Sequence, residues 1–259
     1  MKCMLLLIPL ALAGTSYGQT INSEQATDNT LDLHNIFRNS EIRRPRSDEP
    51  FDAVAKITCG EYEASGFLIG PKKLLTVAHI FYDANGDRSS RNCYFHRKRG
   101  RKVKITQFHV GSTRPHQNNP LDWAVARLES AISDLNYLSY MSIEEEDFDL
   151  LEGEIKVAGY YPRRRGIRVS DNCRLIPKQG TNYRRASFDE EFIHSCSIVT
   201  GFSGGPVVVD NGFQSTAVCI QSAHVNPDRH DNGAPFNPRL SPNVCVKISP
   251  EMAITIDSF

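Results

Sequence analysis

Neither sign of charge is in excess in this chain. Its 30 lysines and arginines are matched by 30 aspartates and glutamates, which excludes the one-signed surface of a protein built around a polyanion. Nucleic acid is therefore not expected as a partner, although a neutral total leaves room for a local basic patch. No stretch beyond the first residues is long and apolar enough to cross a bilayer, so no membrane partner is expected. The close C-x-x-C spacing of a structural zinc site and the H-E-x-x-H pair of a zinc hydrolase are both missing, and no acidic loop follows a calcium-loop pattern. Neither a metal nor a cofactor is expected. Long helical patterns do not separate the apolar runs, which argues against βαβ units, and no internal repeat is evident.

What is present begins with an export pattern. Met1 and Lys2 give a short positive start, Met4 to Ala13 is an apolar run of signal-core length, and Ser16-Tyr17-Gly18 puts small residues where a signal peptidase reads. Residues 1–18 are read as a signal peptide, and the mature protein is expected outside the cytoplasm, extracellular or periplasmic. Of the seven cysteines, Cys3 leaves with that segment. The other six are an even set that an oxidising compartment can close into as many as three disulfides, with about fifteen pairings open.

The 259 residues, 40% hydrophobic, suffice for one large domain or two small barrels. Residues 19–50 form a polar leader, which reads equally as a propeptide with Arg43-Arg44-Pro45-Arg46 as a basic processing site or as an ordered N-terminal arm. From Phe51 the pattern turns to short extended runs: Ala53 to Thr58, Ser65 to Ile69, Leu74 to Val77, Lys102 to Val110 and Trp123 to Leu128. The acidic stretch Ser142 to Asp149 reads as a crossover. Beyond it lie Ile155 to Tyr160, Ile167 to Leu175, Phe192 to Cys196, Pro206 to Val209, Thr216 to Ile220 and Val244 to Ile248. This density of strands and turns predicts an all-β protein of antiparallel barrels or a sandwich, with halves at 51–141 and 142–259.

Three segments carry chemistry: Thr76-Val77-Ala78-His79, Asp122 through Leu128, and Gly201-Phe202-Ser203-Gly204-Gly205-Pro206. Acyl transfer by a serine needs a base within reach of the hydroxyl and a buried carboxylate to hold the imidazole in the right tautomer. His79 and Asp122 are 43 positions apart, and Ser203 lies 81 further on. Only a fold that brings distant loops together can unite them. Taken alone, each segment is also an ordinary structural one: a core histidine, a turn-forming aspartate, a glycine turn.

As a set, in the order His, Asp, Ser, these motifs resemble the trypsin- and chymotrypsin-like serine peptidases, and within them the bacterial-type branch related to glutamyl endopeptidases. The resemblance runs over roughly residues 51 to 250. It implies two six-stranded antiparallel β-barrels of chymotrypsin type, with Ser203 as nucleophile, His79 as base, Asp122 as the residue that orients it, and the amides of Gly201 and Ser203 as an oxyanion hole. Ser222 is implied as a support for Asp122. Ser197, Ile198, Gln221, His224 and Asn243 are implied around the specificity pocket. The implied disulfides are Cys173–Cys196, Cys59–Cys93 and Cys219–Cys245.

The chain also departs from that pattern. Phe202 stands where trypsin has an aspartate that receives a newly cut N-terminus, and no Ile-Val-Gly-Gly start occurs near residue 46. The oxyanion loop must then be held by packing around Phe202 or by another contact. No carboxylate stands where a bound Arg or Lys would need one. Glutamyl endopeptidases carry threonine and histidine where this chain has Ile198 and Gln221. An uncharged residue of moderate size is the expected preference. The basic runs Arg97 to Lys104 and Arg163 to Arg168 read as solvated loop faces.

The function expected is a secreted serine endopeptidase acting on a protein or peptide substrate through an acyl-enzyme, not specific for Arg or Lys. A catalytically silent secreted binding module on the same scaffold is the alternative, since a fold does not guarantee its family's chemistry. A narrow esterase is a third reading.

Overall fold

Alternating apolar residues lay eighteen β-strands along the described residues. The computed structural model describes residues 34–38, 40–97, 100–117, 119–148, 155–177, 188–210, 214–224, 231–239 and 242–259. The expected signal peptide and the leader up to residue 33 lie outside the described residues. Two strands precede the first half, β1 (His34–Phe37) and β2 (Ile42–Arg43).

The first half is a closed barrel of β3 (Val54–Cys59), β4 (Tyr62–Leu68), β5 (Lys73–Thr76), β6 (Cys93–His96), β7 (Lys102–Val110) and β8 (Ala124–Leu128), in the order β3-β4-β5-β8-β7-β6. Period-two alternation drives it: in β3 the side chains of Ile57 and Cys59 are buried while those of Lys56 and Thr58 are only partly covered. Phe67, Leu75 and Phe95 fill the interior with no exposed surface. Closure comes from β6, which pairs with β3 through Ile57 and Phe95 and with β7 through Phe95 and Val103. Cys59 and Cys93 are cross-strand partners on β3 and β6, and a disulfide joins them.

The second half is not the closed six-stranded barrel that the resemblance implied. Its strands are β9 (Ser139–Tyr140), β10 (Ile155–Tyr161), β11 (Gly166–Cys173), β12 (Leu175–Ile176), β13 (Glu191–His194), β14 (Ile198–Val199), β15 (Pro206–Asp210), β16 (Ser215–His224), β17 (Asp231–Ala234) and β18 (Asn243–Lys247). Eight strands form an open half-barrel in the order β12-β13-β18-β16-β15-β10-β11-β2, and β9 attaches to β16 as a ninth, in parallel. Both ends of the path, β12 and β2, are two-residue strands, too short to seal a barrel edge to edge. The β14 segment is taken out of the sheet, because it pairs antiparallel with β1, which also pairs in parallel with β17. The strands before the first barrel thus occupy edges that closure would need.

One apolar core runs from the barrel into the second sheet, where Ala158, Val208, Ile220 and Val246 pack with the barrel residues. A second cluster lies inside the open sheet and includes Phe192, Phe202 and Val218. It contains Cys173–Cys196 and Cys219–Cys245, the other two disulfides. The chain ends in a helix, α1 (Pro250–Ser258), which none of the expected runs anticipated. Ser249 caps it by accepting from Met252 N at 3.2 Å, and Pro250 occupies the first turn. Met252 and Ile256 bury its inner face against the joint core.

Candidate active site

His79 sits in a single 3-10 turn, Ala78–Ile80, directly after β5. Another such turn, Asn119–Leu121, precedes Asp122, whose N–H donates to the Asn119 carbonyl at 2.9 Å before β8 begins. Because β5 and β8 are paired through Thr76 and Ala124, the two turns emerge side by side. The result is a carboxylate with three donors: His79 N to Oδ1 at 2.9 Å, His79 Nδ1 to Oδ2 at 2.8 Å, and Ser222 Oγ to Oδ2 at 2.7 Å.

Asp122 is almost fully buried, and burial alone would oppose its charge. The neighbouring His79 and these hydrogen bonds outweigh burial and hold the carboxyl below its ordinary range. In His79 burial pulls toward the neutral form, but the Asp122 charge and hydrogen bond prevail and raise the imidazole above its usual 6.5. A second histidine faces it: the His116 ring lies 5.7 Å from the His79 ring. Burial, and then the His79 charge, keep His116 below the ordinary value.

Ser203 lies on the turn between β14 and β15. Its hydroxyl donates to the Ser222 carbonyl at 3.1 Å and makes no hydrogen bond to His79. Its turn is fixed from both sheets, with Ser65 N of β4 donating to the Ser203 carbonyl at 2.7 Å and Gly204 N donating to Gln221 O of β16 at 2.7 Å. The turn requires glycine. Gly201 and Gly204 have φ of +96° and +83°, and a Cβ on Gly204 would come within 2.1 Å of the Ser65 carbonyl. Among the described residues no hydrogen bond uses the N–H of Gly201 or of Ser203.

Phe202 is fully buried in the second core, its ring pressed so closely on Gly159 that a Cβ there would stand 2.7 Å away. The loop has a polar anchor as well. Ser65 Oγ donates to the Gly201 carbonyl at 2.5 Å and accepts from Tyr160 N at 2.7 Å. No sequence motif pointed to Ser65, because its partners lie 95 and 136 residues away.

The residues expected around a specificity pocket separate into three groups. Ser197 is buried and engaged by the segment before the barrel: its Oγ accepts from Phe37 N at 2.8 Å and donates to the Ser40 carbonyl at 2.9 Å. Ile198 pairs with Asn35 of β1 in the same contact. Gln221 instead meets a histidine that the sequence reading missed. Its Oε1 accepts from His194 Nε2 at 2.6 Å, while His194 Nδ1 accepts from Cys196 N at 3.3 Å. Those two contacts fix the neutral Nε2–H tautomer, and burial pushes this imidazole down to about 4. Asn243 donates from Nδ2 to the Cys196 carbonyl at 2.5 Å. His224 ends β16 opposite Asn243, with its side chain outside the described residues.

Among the described residues no three His, Cys, Asp or Glu side chains gather as metal ligands, and no helix is long and apolar enough to cross a membrane. Chemically, the site offers an oriented imidazole, an alcohol on a glycine turn and two amides that no hydrogen bond among the described residues uses.

Residues 64–213 match the trypsin-like peptidase domain family. No curated protein matches the sequence. Among solved structures, a Glu endopeptidase superposes with a TM-score of 0.64 at 18% identity over 85% of this chain and 95% of its own. The Rv3671c protease in an inactive form gives 0.52 at 15% identity, over 81% and 89%. A serine-to-alanine mutant of the same protease from M. tuberculosis H37Rv gives 0.51 at 15% identity, over 81% and 86%. At these identities the likeness is one of fold.

Proposed function

The chain belongs to the trypsin-like peptidase family, and on that premise we propose that it is an exported serine endopeptidase working through Ser203, His79 and Asp122. The observation that carries this reading is the buried Asp122 carboxylate, which receives His79 twice and Ser222 once within 2.9 Å. Burying a carboxylate is costly unless donors surround it, and these donors also fix the imidazole with Nδ1 protonated and Nε2 left to act as base.

In this reading the Ser203 hydroxyl leaves the Ser222 carbonyl and turns about its Cα–Cβ bond to donate to His79 Nε2. Its oxygen bonds to the substrate carbonyl carbon while its proton passes to Nε2. The Asp122 charge stabilises the imidazolium, and the N–H groups of Gly201 and Ser203 receive the oxyanion. When the tetrahedral species collapses, the C–N bond breaks and the amine leaves with the proton from Nε2. Water repeats the sequence on the acyl-enzyme and releases the acid.

Ser222 serves as a support for Asp122, and packing of Phe202 with the Ser65 anchor takes the place of an N-terminal salt bridge. The Ser197 hydroxyl is committed to Phe37 and Ser40, and the preference other than Arg or Lys rests on the resemblance, which sets no carboxylate where a bound cation would need one. Export, with residues 1–18 as signal peptide, is supported by the three closed disulfides. Residues 19–50, 51–141 and 142–259 are retained as leader or propeptide and two halves.

One observation favours the alternative of a silent binding module: the Ser203 hydroxyl is bonded to Ser222, not to His79. Mass spectrometry of an unbiased peptide library after incubation with the protein separates the two. An endopeptidase yields new termini with a shared residue before the cleaved bond, and Ser203→Ala abolishes them. A binding module leaves the library intact.

A further inference from the structure

Away from the cleft, a cavity of about 700 Å3 opens between β3, the end of β6, the turn joining β10 to β11, and the segment after β2. None of His79, Asp122 or Ser203 lines it. Its walls bring cations together in numbers that its carboxylates do not balance. Lys56 and Arg97 are answered by Glu63 and Asp134 outside the lining. Of the two carboxylates inside, Glu49 is shared with Arg43 at 2.5 Å and Lys156 at 3.4 Å, which pair with Asp171 and Asp210 as well. Four arginines, Arg44, Arg46, Arg165 and Arg168, thus face the cavity with only Glu49 and Asp52 in its lining to offset them.

Arg168 is the unusual member, at 7% exposed. Its Nη1 donates to the Ile167 carbonyl at 2.8 Å and its Nη2 to the Arg164 carbonyl at 3.1 Å, and no carboxylate among the described residues pairs with it. Carbonyls satisfy N–H groups but leave the positive charge standing, and a buried charge without a counterion is unfavourable. Burial, and then the Arg44 and Arg164 charges, press the guanidinium below its ordinary value. Arg165 adds a second cost, since it sits in the left-handed region at φ 41° without being glycine. Strain and uncompensated charge converge on one wall.

We propose that this cavity binds a phosphate or sulfate group, free or carried on a sugar, held by Arg44, Arg165 and Arg168. A tetrahedral oxyanion supplies the missing counter-charge, and arginine forks match its oxygens two at a time where lysines would act only as point charges. The volume exceeds what a bare ion fills and lies in the range of small-molecule sites of about 300–1,000 Å3, which leaves room for an attached ring. The basic run Arg163 to Arg168 thereby becomes one wall of a site.

The test is isothermal titration of the full chain, with melting curves in parallel, using inorganic phosphate, inorganic sulfate and a sulfated disaccharide, each against sodium chloride of matched ionic strength. Saturable one-site binding with a raised Tm is expected. Affinity should fall at least about tenfold in the pair Arg44→Gln/Arg165→Gln, as expected for removal of two charge-assisted contacts. It should stay unchanged in Arg91→Gln/Arg114→Gln, which removes the same charge from exposed positions elsewhere. Should the first pair misfold, Arg165→Gln alone, on an exposed turn, carries the comparison. Tighter binding of the disaccharide assigns a sugar-borne group, and equal binding assigns the free ion. Ser203→Ala should bind as the unaltered chain does, so the result is independent of peptidase activity. No binding beyond the chloride control, or equal loss in both pairs, overturns the proposal.

Discussion

The hydroxyl of Ser203 donates to the main-chain carbonyl of Ser222 at 3.1 Å, and the hydroxyl of Ser222 donates to Asp122 at 2.7 Å. One residue of β16 therefore parks the alcohol and braces the carboxylate. In the proposed mechanism the first contact is given up in each cycle and the second is kept.

Ser222→Ala separates these roles, because it deletes the hydroxyl and leaves the carbonyl. A hydrogen bond to a charged group contributes about 1.5–3 kcal/mol, part of which the two His79 contacts recover, so kcat/KM should fall roughly tenfold. The fold should persist, as read by circular dichroism. Steady-state kinetics on a peptide ester checks the prediction, and an unchanged kcat/KM would remove Ser222 from the support of Asp122.

The pH profile follows from the signs at His79. The base must be neutral, and Asp122 raises the His79 pKa above 6.5 in the folded protein, so kcat/KM should rise with pH through a midpoint above that value. In Asp122→Asn the raising charge is gone while burial, which lowers the pKa, remains. The residual activity, about 10⁴-fold lower, should then have its midpoint at lower pH. A pH–rate profile of both proteins reads the shift.

His194 makes stability depend on pH. Its pKa in the folded protein is about 4, against 6.5 for a free imidazole. Between those values the unfolded chain takes up a proton that the folded chain refuses, so stability falls as pH drops from about 6.5 toward 4, by about 3 kcal/mol in all. Protonation would also cost Nδ1 the N–H it accepts from Cys196. Urea unfolding of His194→Gln and the parent at pH 7 and 4.5 should show a weaker loss in the variant.

Ser65→Ala tests the anchor of the nucleophile turn. It leaves the buried Gly201 carbonyl and Tyr160 N–H without the hydroxyl that bridges them, a loss of about 1–3 kcal/mol. Thermal melts should drop accordingly, and kcat should fall with little change in KM, since the Gly201 amide is proposed to act only on the oxyanion.

The elements legible in the sequence are those with local causes. Lys102–Val110 announces itself by length, and the three motifs stand at strand ends, where hydrogen bonds join His79 to Asp122 and Asp122 through Ser222 to Ser203. β6 is not legible because its four residues are crowded between a polar loop and the basic run from Arg97. α1 had a readable start in Ser249-Pro250-Glu251, a cap followed by a first-turn proline, but its nine residues were overshadowed by the preceding strand. The open second sheet had no local sign. It depends on β1 pairing with Ile198 and Val199 and on β2 pairing with Val169 and Ser170, contacts across more than a hundred residues. The resemblance sets Gln221 near the pocket, yet its partner His194 belongs to a different strand, a pairing no spacing rule reveals.

Labelling of the folded, disulfide-intact protein with a serine-reactive phosphonate, followed by peptide mass spectrometry, reads the nucleophile itself. The account predicts a single adduct, on Ser203, formed faster as pH rises through the His79 midpoint and lost in His79→Ala. Absence of any adduct on Ser203, or labelling undiminished by the loss of His79, would contradict it.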